Sequence, residues 1–74
     1  MYEVDTKALR VCMAEAGILS ITELAKKSGV SRGTVTNVMQ GKIYPSSKVI
    51  EKLVMTLGIA PQRAGGIFFK PKLT

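Results

Sequence analysis

The stretch SGVSRGTVTNVMQGK, residues 28–42, constrains this chain more than any other. Gly29 and Gly41 stand near its two ends, and Ser31 follows two residues after the first of them. Glycine takes the left-handed backbone that stops a helix, and serine starts one by accepting from a backbone N–H two or three residues on. The stretch therefore predicts a helix stopped at Gly29, a turn of almost no length, and a new helix from Ser31 that closes at Gly41. Val35, Val38 and Met39 are spaced for the inward face of that new helix. Most of its other positions are polar, and Gly33 sits among them, where helix propensity disfavours it.

The same punctuation runs along the rest of the chain. Asp5 or Thr6 can cap a first helix whose apolar positions Leu9, Cys12, Met13 and Ala16 recur at helical period, and Gly17 ends it. Ser20 and Glu23 form a capping box, in which Ser20 accepts from the Glu23 N–H and the Glu23 carboxylate reaches back to the Ser20 N–H. Ile21, Leu24 and Ala25 are the apolar stripe of this second helix, with Lys26 and Lys27 at its carboxyl end, where the helix dipole favours cations. After the loop KIYP, Ser46 or Ser47 caps a fourth helix carrying Val49, Ile50, Leu53, Val54 and Leu57, ended by Gly58. APQRA predicts one last turn with Pro61 at its first position. GGIFFKPKLT predicts no helix and is the one place where a strand is conceivable. The expected class is all-α: a compact bundle of four to five short helices over residues 1–64, followed by a short non-helical C-terminal tail over residues 65–74.

Size and composition narrow the function. Seventy-four residues, 46% of them hydrophobic, suffice for one small core, near the lower limit of what folds without staples or a partner. The lone Cys12 excludes an internal disulfide and fits a reducing cytosol. The opening MYEVDTKALRVC has no apolar run leading to a cleavage site, and no stretch approaches the ~20 apolar residues of a membrane span, so neither a signal peptide nor a membrane partner is expected. Eleven Lys and Arg against five Asp and Glu leave a net charge of +6, which favours a polyanionic partner, nucleic acid being the commonest. There is no histidine, and Glu3, Asp5, Glu15, Glu23 and Glu51 are scattered without paired or metal-ligand spacing. The GG at 65–66 is a lone doublet, neither a P-loop nor a dinucleotide fingerprint. No enzyme chemistry, metal, cofactor or small-molecule substrate is expected.

Two short helices joined by a tight, glycine-containing turn make a helix-turn-helix. The segment from Ile21 to Gln40 meets its mechanical requirements: small Ala25 where the two helices approach, Gly29 in the turn, Val30 buried behind it, and Val35 and Val38 inside. TELAKKSGVSRGTVTNVMQGK resembles the central motif of the phage repressor and Cro type of helix-turn-helix protein, the XRE family. VIEKLVMTLGI, preceded by Pro45, is similar to that family's fourth helix, and the resemblance covers roughly Ala8 to Arg63.

The resemblance implies a bundle that binds double-stranded operator DNA, usually as a homodimer, with its third helix in the major groove. Carried over by position, base reading falls on Arg32, Gly33, Thr34 and Asn37, with Thr36 close by. Arg32 suits a bidentate contact to guanine O6 and N7, Asn37 an adenine, and Thr34 either a polar group or a thymine methyl. Phosphate contacts fall on Ser20 and Ile21 through backbone N–H groups, on the cap Ser31, and on Gln40, Lys42 and Tyr44 after the third helix. The chain departs from the family pattern at three places. Ile21 stands where a polar residue is common, and Gly33 removes one reading side chain. An arginine in the first helix often pairs with an acidic residue near the end of the third; Ala14 and Met39 hold those places here, so that bridge is expected to be replaced by packing or to be absent.

The expected function is that of a phage or prophage Cro- or repressor-type transcriptional regulator of a lysogeny switch, acting in the host cytoplasm at the nucleoid. The IFF at 67–69 either folds back on the bundle or, as the preferred expectation, Ile67, Phe68 and Phe69 make a dimer or partner contact through an intermolecular strand. A second reading keeps the fold and changes the ligand: a module binding a partner repressor, as an antirepressor or modulator does, or an antitoxin. Ile21, Gly33 and the apolar tail suit it.

Overall fold

The computed structural model describes residues 1–73, in which five helices are bracketed by two very short strands. In chain order these are β1 (Tyr2–Glu3), α1 (Thr6–Glu15), α2 (Ile21–Ser28), α3 (Arg32–Met39), α4 (Ser47–Leu57), α5 (Pro61–Phe68) and β2 (Lys70–Pro71). The caps lie where the sequence places them. Asp5 accepts from the Ala8 N–H at 3.1 Å, Ser20 from Glu23 at 3.0 Å, Ser31 from Thr34 at 3.2 Å and Ser46 from Val49 at 3.2 Å. Where two caps were possible, Asp5 and Ser46 do the capping, and Thr6 and Ser47 open their helices.

One cap differs in detail. The Glu23 carboxylate accepts from the N–H of Leu19 at 3.4 Å, not from Ser20, while its other oxygen pairs with Lys27 at 3.1 Å. Lys27 first, and the Leu19 N–H second, hold this carboxyl below its ordinary range.

The turn between α2 and α3 has the expected build. Gly29 sits at φ 75° and donates to the Ala25 carbonyl at 2.9 Å, a backbone that a residue with a Cβ adopts only under strain. The buried Ser28 hydroxyl donates to the same carbonyl and accepts the N–H of Val30, so the turn's polar groups are satisfied before Val30 enters the core.

That core gathers Leu9, Cys12 and Met13 of α1, Leu24 of α2, Val35, Val38 and Met39 of α3, and Leu53 and Leu57 of α4, joined by Ile18, Val30 and Ile59 from the connections. α2 packs on both α3 and α4, and α1 on α3 and α5. Ala16 is not part of it: it caps the carboxyl end of α1 and is exposed.

The tail corrects two expectations. Helix α5 does not stop after a turn but continues through Gly65 and Gly66 to Phe68, so the boundary between residues 64 and 65 falls inside a helix. Ile67 and Phe68 are 2% and 0% exposed and complete the core, so neither is available as a dimer or partner contact. Each glycine costs a helix about 1 kcal/mol, whereas burying an Ile or Phe side chain returns about 1.5–3 kcal/mol, which decides in favour of the longer helix. Phe69 alone remains half-exposed, edge-on against Tyr2 with ring centroids 5.5 Å apart. β2 then pairs antiparallel with β1 of the same chain, Tyr2 opposite Pro71 and Glu3 opposite Lys70.

Candidate nucleic-acid interface

Helix α3 has two sides set by its sequence. Val35, Val38 and Met39 are buried, and opposite them Gly33, Thr36, Asn37 and Gln40 form a stripe spaced i, i+3, i+4, i+7, flanked by Arg32 and Thr34. Arg32, Gly33 and Gln40 are exposed; Thr34, Thr36 and Asn37 are half-buried. Glycine, four β-branched residues and asparagine are poor helix formers, so α3 is held by its buried face, its Ser31 cap and its carboxyl-end hydrogen bonds. The Ser31 hydroxyl donates to Thr34 Oγ1 at 2.8 Å, which leaves the Thr34 hydroxyl proton free to be donated outward.

Arg32, beside the stripe, and Gly33, within it, both run against helix preference. Arg32 is the first residue of α3, in a first turn without an acidic residue, so its cation faces the positive end of the helix dipole, at a cost of about 0.3–1 kcal/mol. Gly33 has ordinary helical backbone, and a Cβ added there meets nothing within 4 Å. Neither packing nor backbone geometry asks for a glycine.

The flanks of the stripe are backbone and cations. The first N–H groups of α2 lack intrahelical acceptors, and Ser20 beside them is exposed. Ile21 packs its side chain against the core, so the departure from a polar residue there serves packing. After α3, Gly41 at φ 72° allows its own N–H to reach the Val38 carbonyl at 3.1 Å and that of Lys42 to reach Asn37 at 2.9 Å. Gln40 and Lys42 project from this close, both exposed.

Tyr44 is placed differently from expectation. Its hydroxyl donates to the Phe68 carbonyl at 2.6 Å, so its proton is committed inside the chain, and burial, with Tyr2 adding, pushes the phenol above its ordinary range. Tyr44 therefore fixes the loop that carries Lys42.

Arg10 was not legible as a site residue. Its Nη2 donates to the Met39 carbonyl at 3.3 Å, placing a cation on the carboxyl end of α3. The link between the first and third helices thus exists, one turn before the expected Ala14, and it uses a backbone carbonyl in place of a carboxylate. Only the crossing of α1 over α3 brings the two together; no local pattern announces it.

Charge reinforces the geometry. No acidic residue lies between Glu23 and Glu51, and Glu23 is neutralised by Lys27. Lys26, Arg32, Lys42 and Lys48 of that segment make no ion pair among the described residues. The second ion pair, Arg63 to Glu15 at 2.6 Å, joins α5 to α1 and lowers the Glu15 carboxyl through that hydrogen bond. Among the described residues no group of His, Cys, Asp and Glu could hold a metal ion, and no helix is long and apolar enough to cross a membrane. The Cys12 thiol is buried, and burial pushes it up, away from reactivity.

A Helix-turn-helix family model matches residues 12–63, from the middle of α1 into α5 and across the whole of α2 and α3. No curated protein and no solved structure matches the chain significantly. The matched family is one of DNA-binding transcriptional regulators and not of enzymes. With the αL turn at Gly29, the two capped short helices and the outward polar stripe on the second of them, the chain belongs to the helix-turn-helix proteins of the phage repressor and Cro type, the XRE family.

Proposed function

We propose that the chain is a phage or prophage regulator of Cro or repressor type that binds operator DNA with α3 in the major groove. The observation that carries this is Arg32: a cation without an ion pair among the described residues, placed at the positive end of its own helix dipole, beside an outward polar stripe. Arg32 reads a guanine, Thr34 donates its free hydroxyl or offers its methyl, Asn37 reads an adenine, Thr36 lies beside them, and Gly33 lets the helix backbone approach the bases. The amino end of α2 at Ser20 and Ile21, the cap Ser31, and Gln40 and Lys42 meet phosphates, with Tyr44 setting the loop. One α3 reads one half-site, so two copies act together on sites about one helical turn apart. Such a protein works in the cytoplasm, at the host nucleoid, without cofactor or catalytic step.

An anisotropy titration against the DNA flanking its own gene tests this reading. Arg32→Ala lowers specific affinity about 10- to 100-fold, the worth of one bidentate base contact, with unchanged circular dichroism. Unchanged affinity overturns the proposal. Wild-type affinity also falls steeply with added salt, because phosphate contacts release counterions.

The rival reading, a module that binds a partner repressor as an antirepressor or antitoxin does, has less to stand on once Ile21, Ile67 and Phe68 are seen to be packed inward. Gly33 still favours it, since the stripe lacks a side chain there. Retention of the neighbouring regulator in a pull-down, with no DNA bound, would support it.

A further inference from the structure

The chain has four aromatic residues, and the three outside the core, Tyr2, Tyr44 and Phe69, gather on one face, each about half exposed. Tyr2 and Tyr44 line a groove of about 570 Å³ between the β1 segment and the loop after α3, and Phe69 meets Tyr2 edge-on at 5.5 Å. That volume lies inside the range of about 300–1,000 Å³ that ligand sites occupy. Lys42 and Lys72 line the same groove. Aromatic rings beside cations bind unpaired bases and the phosphates that join them. We propose that this groove is a second nucleic-acid site, for single-stranded RNA, separate from α3.

The backbone orders the groove. Lys72 donates to the Met1 carbonyl at 3.0 Å, so these two form a hydrogen-bonded pair, and by the alternation of an antiparallel ladder Tyr2 and Pro71 beside them do not. The N–H and C=O of Tyr2 therefore point away from β2, and neither bonds elsewhere among the described residues. They are free to pair with the edge of a base. The pleat sets Tyr2 and Phe69 on one face of the ribbon and Glu3, Lys70 and Lys72 on the other. Bases stack against the first face while phosphates follow the second. Two features then choose RNA. A duplex hides the faces of its bases, so operator DNA cannot stack here. Glu3 lines the groove without an ion pair among the described residues. Its carboxylate repels phosphate but accepts from a ribose 2′-hydroxyl, the group that tells RNA from DNA. An acidic peptide would meet Glu3 with no such return.

This site does not rest on the operator reading, and Arg32 separates the two. In anisotropy titrations at low salt, a labelled uridine octamer is expected to bind the wild type at micromolar concentration, more tightly than its deoxyuridine counterpart. Tyr2→Leu keeps the apolar bulk and removes the ring. It is expected to weaken octamer binding about tenfold, the worth of one stacked base, with unchanged circular dichroism and operator affinity. Lys72→Gln, at an exposed position, is a second variant should the first fail to fold; it lowers the slope of log affinity against log salt by about 0.7, the share of one single-strand phosphate. Glu3→Gln brings the two octamers to equal affinity, and Arg32→Ala leaves uridine binding as it is. Absence of uridine binding overturns the inference, as does equal affinity of the wild type for both octamers. So do indifference to both Tyr2→Leu and Lys72→Gln, loss of uridine binding in Arg32→Ala, or a groove that takes up a peptide or a second copy and excludes the octamer. Uridine binding without operator affinity keeps this site and removes the operator reading; operator affinity without uridine binding does the reverse.

Discussion

Arg32 and Gly33 are adjacent, and each runs against what a helix wants. A cation at the first position of α3 opposes the dipole, and a glycine at the second loses backbone entropy on folding, with no packing reason to be there. Costs without a structural return are what a binding surface leaves behind. Gly33→Ala is therefore expected to stabilise the fold by about 0.5–1 kcal/mol, read as a higher urea midpoint at unchanged slope. Operator affinity is expected to fall in the same variant, since in the proposed binding mode the new methyl would stand between the helix backbone and the bases. If affinity holds or rises, close approach is not what Gly33 provides.

At the scale of the element, the turn from α2 to α3 fixes the angle at which the stripe is presented. Gly29 holds a positive φ, its N–H is bonded to Ala25, and Val30 is pinned through Ser28. Gly29→Ala is expected to cost about 1 kcal/mol or more even though open space surrounds the position, because the strain is in the backbone and not in packing. Thermal or urea unfolding checks it, and a loss of a few tenths would count against the strained turn. This element was readable in the sequence almost residue by residue, from Ser20 to Gly41. Its caps and stops act within four positions of themselves, so a linear chain displays them. The exception is Glu23, whose bond moved from the N–H of Ser20 to that of Leu19. Choosing between adjacent donors depends on how the chain enters the helix, which the capping pattern does not state.

The whole molecule is closed by its two terminal segments. The Asp5 N–H donates to the Ile67 carbonyl at 2.7 Å, Tyr44 to that of Phe68, and β1 lies beside β2, while Phe68 fills the core with no exposure at all. Phe68→Ala is expected to cost about 3–5 kcal/mol, a large part of the roughly 5–15 kcal/mol a native domain holds, so its melting temperature drops far below that of wild type. A shift of a degree or two would mean that the α5 end is not part of the core. The same closure ties the loop bearing Lys42 to α5, so the tail and that loop share one support.

What the sequence determined by itself is the set of helices from α1 to α4, the turn at Gly29, the inward and outward sides of α3 and the family. Each rests on a cap, a stop or a 3.6-residue period that is complete within a few residues. What only the tertiary structure decided is the length of α5 across Gly65 and Gly66, the burial of Ile67 and Phe68, and the ribbon between the two ends of the chain. It also decided the hydrogen bonds from Arg10 to Met39 and from Tyr44 to Phe68, and the ion pair between Arg63 and Glu15. Those partners lie 29, 24 and 48 residues apart. Local propensity reads IFF after two glycines as an apolar tail; the gap left by the other helices turns it into core, because burial outweighs the glycine cost only once that gap exists.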